Sequence, residues 1–267
     1  MATLSTIGDI EGPLRNCAEA KCNVITIAEE LLHCWTSAPE KTKEMDELFK
    51  ANGVSFTGSG FIDGACCEMT MVMASLMHKI DKLEGGLQYN VDHYGQVLAI
   101  AHGVGLTDDE FAAGPGQSDP KSYPKSYVYN SNEWFASALG LTVVATKESK
   151  TATKAKTELV STAIGRAIPV GQCTGMMVTA TTTTKEGVVI VGNQVGKCYE
   201  EGEDDWCAWG FEGNPSGVKF SMTALPAPAI TNTTMISRIP QILDAPAGFV
   251  TSDKLPIAKY EHFENKS

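Results

Sequence analysis

The chain has 267 residues, 43% of them hydrophobic and 20% charged, which is the makeup of a globular protein with enough chain to bury a core. Its formal charge is −11, and of 21 basic residues only Arg15, Arg166 and Arg238 are arginines, so its field repels polyanions and direct nucleic-acid binding is excluded as an expectation. No apolar run approaches the ~20 residues that span a bilayer, and Met1–Thr6 lacks the basic start and apolar stretch of a secretory signal. An intracellular or virion location without membrane contact is therefore expected, with the eight cysteines reduced.

Residues 14 to 36 read as a first helix, since Leu14, Ala18, Ile25, Ala28, Leu32 and Trp35 follow three- and four-residue steps. Pro13 suits its first turn and Pro39 stops it. Residues 40–51 predict a second, more polar helix ended by Gly53. A third is expected from Asp63 to about Leu83, with a stripe of Met69, Val72, Met73, Leu76, Met77 and Ile80 closed by Gly85-Gly86. Residues 91–102 predict a fourth helix that Gly95 weakens.

The texture then changes. Residues 112–126 form a Gly/Pro/Ser/Lys connector or projecting loop between an expected helical subdomain, 1–111, and a β-rich subdomain, 127–267. Beyond it, 139–146 reads as a strand and 151–164 as a helix, followed by strands at 168–171, 175–183, 187–192 and 194–200. Lys185-Glu186-Gly187 predicts a hairpin turn, and Asn214–Gly217 a second one between strands at 206–211 and 218–223. The Pro-punctuated tail after Pro226 is expected to be extended. The fold class that follows is α+β, a helical N-terminal half packed on a mostly antiparallel sheet from the C-terminal half.

Reactive side chains concentrate in the first half, yet no C-x-x-C or H-x-x-x-H pair occurs, and Cys17 and Cys22 lie about 140° apart around a helix. A thiol at a helix N-terminus is acidified, so Cys66 or Cys67 is the one nucleophile with a physical motive, while plain packing is its dull alternative. Val191–Cys198 fails the phosphate-loop pattern at its first glycine and at the hydroxyl after Lys197. Gly58-Ser59-Gly60 and Gly103-Val104-Gly105 read as turns without a preceding strand. Glu201, Glu203, Asp204 and Asp205, in the densest acidic run, form a candidate cation site for Ca²⁺, although their spacing is not that of an EF-hand and a solvated hairpin tip is the plainer reading. Cys198 and Cys207 flank that run and could meet across it. Trp206 and Trp209, if exposed, would make a contact site for a partner or a sugar, and the Thr179–Thr184 strand suits a solvated sheet face or one buried against another subunit.

With no catalytic constellation and no resident cofactor indicated, the function expected from these residues is a self-assembling, non-catalytic structural subunit, a capsid, tube or shell component whose partner is itself. The alternative is a cytosolic enzyme that uses the Cys66 or Cys67 thiol or a cofactor held among the N-terminal helices.

Overall fold

The computed structural model describes residues 5–119 and 123–260. Its helices are α1 (Glu11–Glu19), α2 (Pro39–Asn52), α3 (Met69–Ala74), α4 (Gln96–Ala101), α5 (Asp108–Ala113), α6 (Tyr127–Ala138) and α7 (Ala227–Leu243). Its strands begin with β1 (Val24–Thr26), β2 (Ser55–Gly58), β3 (Lys79–Asn90), β4 (Val143–Lys154), β5 (Leu159–Ser161) and β6 (Arg166–Ile168). They continue with β7 (Cys173–Thr184), β8 (Val189–Lys197), β9 (Trp206–Asn214), β10 (Lys219–Thr223) and β11 (Gly248–Phe249).

These elements form two compact units, and neither is continuous in the chain. One comprises residues 1–72, 123–140 and 226–267, the other 73–122 and 141–225. The units therefore do not follow a division into 1–111 and 127–267. The connector region 112–126 holds the last two residues of α5 and Ser126 just before α6, while its residues 120–122 lie outside the described residues.

The first unit is built on a parallel sheet of order β1-β2-β11, in register through Val24 opposite Phe56 and Phe249 opposite Phe56. Parallel neighbours need a crossover, and α2 supplies it between β1 and β2. Pro39 opens α2, and Gly53 closes it in the left-handed region at φ 70°. Ile7, Leu14, Leu31, Met45 and Phe49 make the core against Phe56 and Phe249. The Phe56 ring lies 4.4 Å from that of Phe49 and 4.8 Å from that of Phe249.

The second unit is built on a six-stranded mixed sheet of order β10-β9-β3-β8-β7-β4, beside a two-stranded ribbon of β5 and β6. Only β3 and β8 run parallel within it. Leu83, Ile190, Val178, Ala180 and Cys207 project from one face into the interior. Tyr89, His102 and Gln194 form a buried hydrogen-bonded group on the same side.

The α+β expectation with a helical half laid on an antiparallel sheet is thus corrected: this is an α/β fold with one parallel and one mixed sheet, and helices drawn from both halves of the chain. The helix expected over 14–36 stops at Glu19, because Val24-Ile25-Thr26 is a strand and Glu29–Leu32 a single 3₁₀ turn. The helix expected from Asp63 to Leu83 ends at Ala74, and residues 79–90 are β3. Gly85 is not its terminator: a Cβ there would stand 2.3 Å from the Ala208 carbonyl oxygen, so only glycine lets β9 approach. The helix expected over 151–164 is replaced by the end of β4 and by β5, and the extended tail by α7. By contrast the helix at 40–51, the hairpin between β7 and β8 and the β9–β10 pair stand where the sequence put them.

Candidate functional site

In an open parallel sheet the loops beyond the carboxyl ends of the strands are the ones free to hold a ligand. In the first unit all three carboxyl ends point the same way, and each is followed by a short helical turn. Beyond β1 comes the 3₁₀ turn Glu29–Leu32, and beyond β2 Ser59-Gly60-Phe61 leads into a π-helical segment, Ile62–Glu68. Beyond β11 the turn Ser252–Lys254 follows. Helix α6 packs against these turns: Trp134 Nε1 donates to Ser252 Oγ at 2.9 Å, and Asn130 Nδ2 to the His33 carbonyl at 2.8 Å. Ser126 caps α6 by accepting from the Tyr129 N–H.

Two adjacent carboxylates on this rim have different surroundings. Glu30 is buried and fully engaged, accepting from the Ile7 N–H at 2.9 Å, the Ser37 hydroxyl at 2.8 Å and the Tyr123 hydroxyl at 2.8 Å. Burial, opposed by one hydroxyl contact and helped by Glu30, pushes the Tyr123 phenol up to about 12, so it stays a donor. Glu29 is partly exposed, and desolvation raises its carboxyl above the ordinary carboxylate value against its own backbone N–H and the Ser5 hydroxyl. One carboxylate is a fixed strut; its neighbour, partly exposed and with a raised pKa, takes up a proton more readily than an ordinary carboxylate. Burial lowers the pKa of His33 on the same turn, against the opposing pull of Asp253.

Asp63 opens the π-helical segment and accepts from the Gly60 N–H at 2.5 Å and the Ser59 hydroxyl at 3.0 Å. Arg238 of α7, wholly buried, donates to Asp63 at 2.9 Å and to Glu68 at 2.6 Å. Its second terminal nitrogen donates to Gln241 and to the Pro256 carbonyl. Two buried carboxylates on one guanidinium fasten the turn after β2 to α7 and to the segment that follows it.

The residues singled out in the sequence lie elsewhere or are engaged. Cys66 and Cys67 are buried, and they sit inside the helical segment that starts at Ile62, so neither is a helix N-terminal thiol open to a substrate. No disulfide joins Cys198 to Cys207. Glu203 pairs with Lys197 at 2.7 Å and accepts from the Glu200 N–H, while Asp205 accepts from the Tyr199 hydroxyl at 2.6 Å. Glu201 and Asp204 belong to the same turn, and among the described residues no group of three or more His, Cys, Asp or Glu is arranged to hold a metal ion. Trp209 is buried against Gly85 and Phe211 is buried beside it, which leaves Trp206 as the partly exposed aromatic of the two tryptophans. Among the described residues no helix is long and apolar enough to cross a membrane.

Residues 66–265 match the family model of the 2,4-diaminopentanoate dehydrogenase C-terminal domain. The chain belongs to this family. It is 31% identical over 97 residues to the 2,4-diaminopentanoate dehydrogenase of Acetoanaerobium sticklandii, a stretch covering 36% of this chain and 28% of that relative. It also matches the solved amine dehydrogenase from Mycobacterium smegmatis at 31% identity and a TM-score of 0.83, across 98% of this chain and 76% of that one. Membership of the diaminopentanoate dehydrogenase family overturns the expectation of a non-catalytic capsid, tube or shell subunit, and with it the virion location. An enzyme, which was the alternative, is what the relatives indicate.

A dehydrogenase passes a hydride to an acceptor such as a nicotinamide dinucleotide, whose pyrophosphate wants a glycine-rich turn between a strand and a helix. The turn after β2 has glycines at 58, 60 and 64, one residue off the usual fingerprint. Its clearance is filled from within: a Cβ on Gly58 would lie 2.5 Å from the Leu31 carbonyl carbon, and one on Gly64 2.9 Å from Thr234. The free N–H at its helix start is taken by the Asp63 carboxylate, which would face the pyrophosphate with like charge. This turn does not fit a dinucleotide phosphate.

Proposed function

We propose that this chain serves a dehydrogenase that acts on the C–N bond of an amine, and that the carboxyl-end rim of the β1-β2-β11 sheet is where the amine is handled. The observation that carries the reading is the pair Glu29 and Glu30: one carboxylate held by three hydrogen bonds, the next partly exposed with a raised pKa. Family membership over residues 66–265 and the amine dehydrogenase likeness over 98% of the chain support it.

Oxidation of an amine at its α-carbon gives an iminium and releases a hydride equivalent. For the nitrogen lone pair to assist, the substrate ammonium must first lose a proton. Glu29 is the group on the rim suited to accept it, since its raised pKa lies nearer to that of the donor than an ordinary carboxylate's. Glu30, Tyr123 and Ser37 hold the 3₁₀ turn that presents Glu29. The turn after β2 does not supply the acceptor's phosphate site, so the reading extends to the amine side of the reaction alone.

The test is a thermal-shift panel on the purified chain at pH 8, with 2,4-diaminopentanoate, simple primary amines and the matching carboxylic acids without nitrogen. A saturable rise in melting temperature with amines and none with the acids is expected. No rise with any amine, or an equal rise with the acids, overturns the proposal.

A further inference from the structure

Helix α6 meets the rim of the β1-β2-β11 sheet along one face. Asn130, Trp134 and Ser137, at i, i+4 and i+7, bond in order to residues that follow β1 and β11. Asn130 Nδ2 donates to the His33 carbonyl at 2.8 Å and to Ser37 Oγ at 3.2 Å, and Ser37 in turn donates to Glu30 at 2.8 Å. Trp134 Nε1 donates to Ser252, and Ser137 Oγ donates to Asp253 Oδ2 at 2.7 Å. The seam is closed to solvent: Asn130 is 1% exposed, His33 9% and the Asp253 side chain 0%.

Three polar atoms in this seam have no hydrogen-bond partner: Asn130 Oδ1, His33 Nδ1 and Asp253 Oδ1. A buried polar atom left unpaired is costly, and native folds leave few of them. Their chemistry is fixed by their neighbours. The His33 carbonyl can only accept, so the Asn130 amide turns its nitrogen to it and the oxygen is the open end. Asp253 spends its other oxygen on Ser137 and on Lys254 at 2.8 Å, which leaves Oδ1 as a bare acceptor. His33 lies between the two: Asn130 holds its carbonyl, while burial pulls its pKa down and the Asp253 charge pulls it up. At pH 8 the imidazole is uncharged and offers one ring nitrogen as an acceptor.

We propose that Asn130 Oδ1, His33 Nδ1 and Asp253 Oδ1 form a subsite that receives a primary ammonium group. The proposal deepens the reading of this rim as the amine side of the reaction and rests on it. The count of donors selects the ligand. A primary ammonium carries three N–H donors and no acceptor, so it meets the three acceptors one for one. A water has a donor too few, and an anion is repelled by Asp253. The carboxylate gives the charge-assisted contact, and the two neutral acceptors give direction. Glu29, on the turn before His33, remains the group that takes the proton, so the subsite binds and orients the nitrogen. His33 ends a 3₁₀ turn, whose hydrogen-bond geometry is poor, and this turn is the part that yields to admit the group. Selectivity follows: a protonated N,N-dialkylated amine keeps a single N–H and strands the remaining acceptors.

The experiment is calorimetric titration at pH 8 of pentan-2-amine and of its N,N-dimethyl derivative into the parent, His33→Phe, Asp253→Asn and Glu29→Gln. His33→Phe keeps the backbone carbonyl that Asn130 holds, and Asp253→Asn keeps an oxygen for Ser137. The parent is expected to bind the primary amine about tenfold more tightly than the dimethyl one. At least one of His33→Phe and Asp253→Asn, at parental circular dichroism, is expected to lose that preference by weakening the primary amine alone. A parent that binds both amines equally overturns the proposal. So does a preference unchanged in folded His33→Phe and Asp253→Asn; if Glu29→Gln weakens the primary amine in the same series, the amine reading stands without this subsite. A parent that binds neither amine overturns the amine reading and the subsite with it.

Discussion

The two sheets solve opposite problems with the same strand chemistry. The parallel sheet of β1, β2 and β11 is short and largely enclosed, and β2 is buried at every position. Its charges are internal: Asp63 and Glu68 share Arg238 with no exposed atoms on the guanidinium or on Asp63. The six-stranded sheet is long and alternates along β8 from Val189 to Gly196, with buried residues between partly exposed ones. Some of its ion pairs, such as Lys79 with Asp81, are exposed. A fold can thus concentrate reactive and costly groups in one region and leave the other as a well-satisfied scaffold, and the candidate site lies where the costly groups are.

That difference can be broken first at Arg238. Arg238→Ala strands two buried carboxylates and is expected to cost about 3–5 kcal/mol in urea denaturation, whereas Lys79→Ala leaves the midpoint unchanged. Equal effects of the two would erase the distinction. Next, Gly85→Ala forces a Cβ to within 2.3 Å of the Ala208 oxygen and 2.4 Å of the Trp209 ring. It is expected to cost about 1–3 kcal/mol by overpacking the open sheet from its buried side.

A smaller effect spans both regions. His33 and His102 have pKa values lowered, first of all by burial. A depressed folded pKa gives stability that is present above the unfolded value near 6.5 and is lost as pH falls through the folded value. The denaturation midpoint should therefore drop between pH 7.5 and pH 5, and His102→Gln should flatten part of that drop. Smallest of all is a thiol count. Cys22 is exposed while Cys34, Cys66, Cys67, Cys173, Cys198 and Cys207 are buried. Native protein should react promptly at Cys22 with a disulfide reagent, and those six should follow only on unfolding.

Part of the six-stranded sheet was legible from alternation and turns, although β3 and the end of β4 read as helices. The Thr/Val alternation of β7 and β8, the Lys185–Gly187 turn and the turn at 214–217 announce themselves. The parallel sheet was not, because a three-residue strand inside an apolar stretch satisfies helical spacing as well as a helix does. Val24-Ile25-Thr26 and Phe56-Thr57 are β-branched or aromatic, and each run precedes a break in the pattern. That was the missed signal, together with Ser126 as the cap of α6. Helix α7 hid behind prolines: Pro228 sits in its first turn, where no N–H is needed, and Pro240 near its end. Glu29 and Glu30 were absorbed into a helix that does not exist, so the candidate site could not be read before the strand ahead of them was found.

The claim that the rim beyond β1 handles an amine is tested most directly by calorimetric titration of 2,4-diaminopentanoate into the parent and into Glu29→Gln. Saturable binding to the parent and at least a tenfold loss in a Glu29→Gln variant of parental stability are the predicted result. Binding that is absent from the parent, or equal in the two proteins, contradicts it.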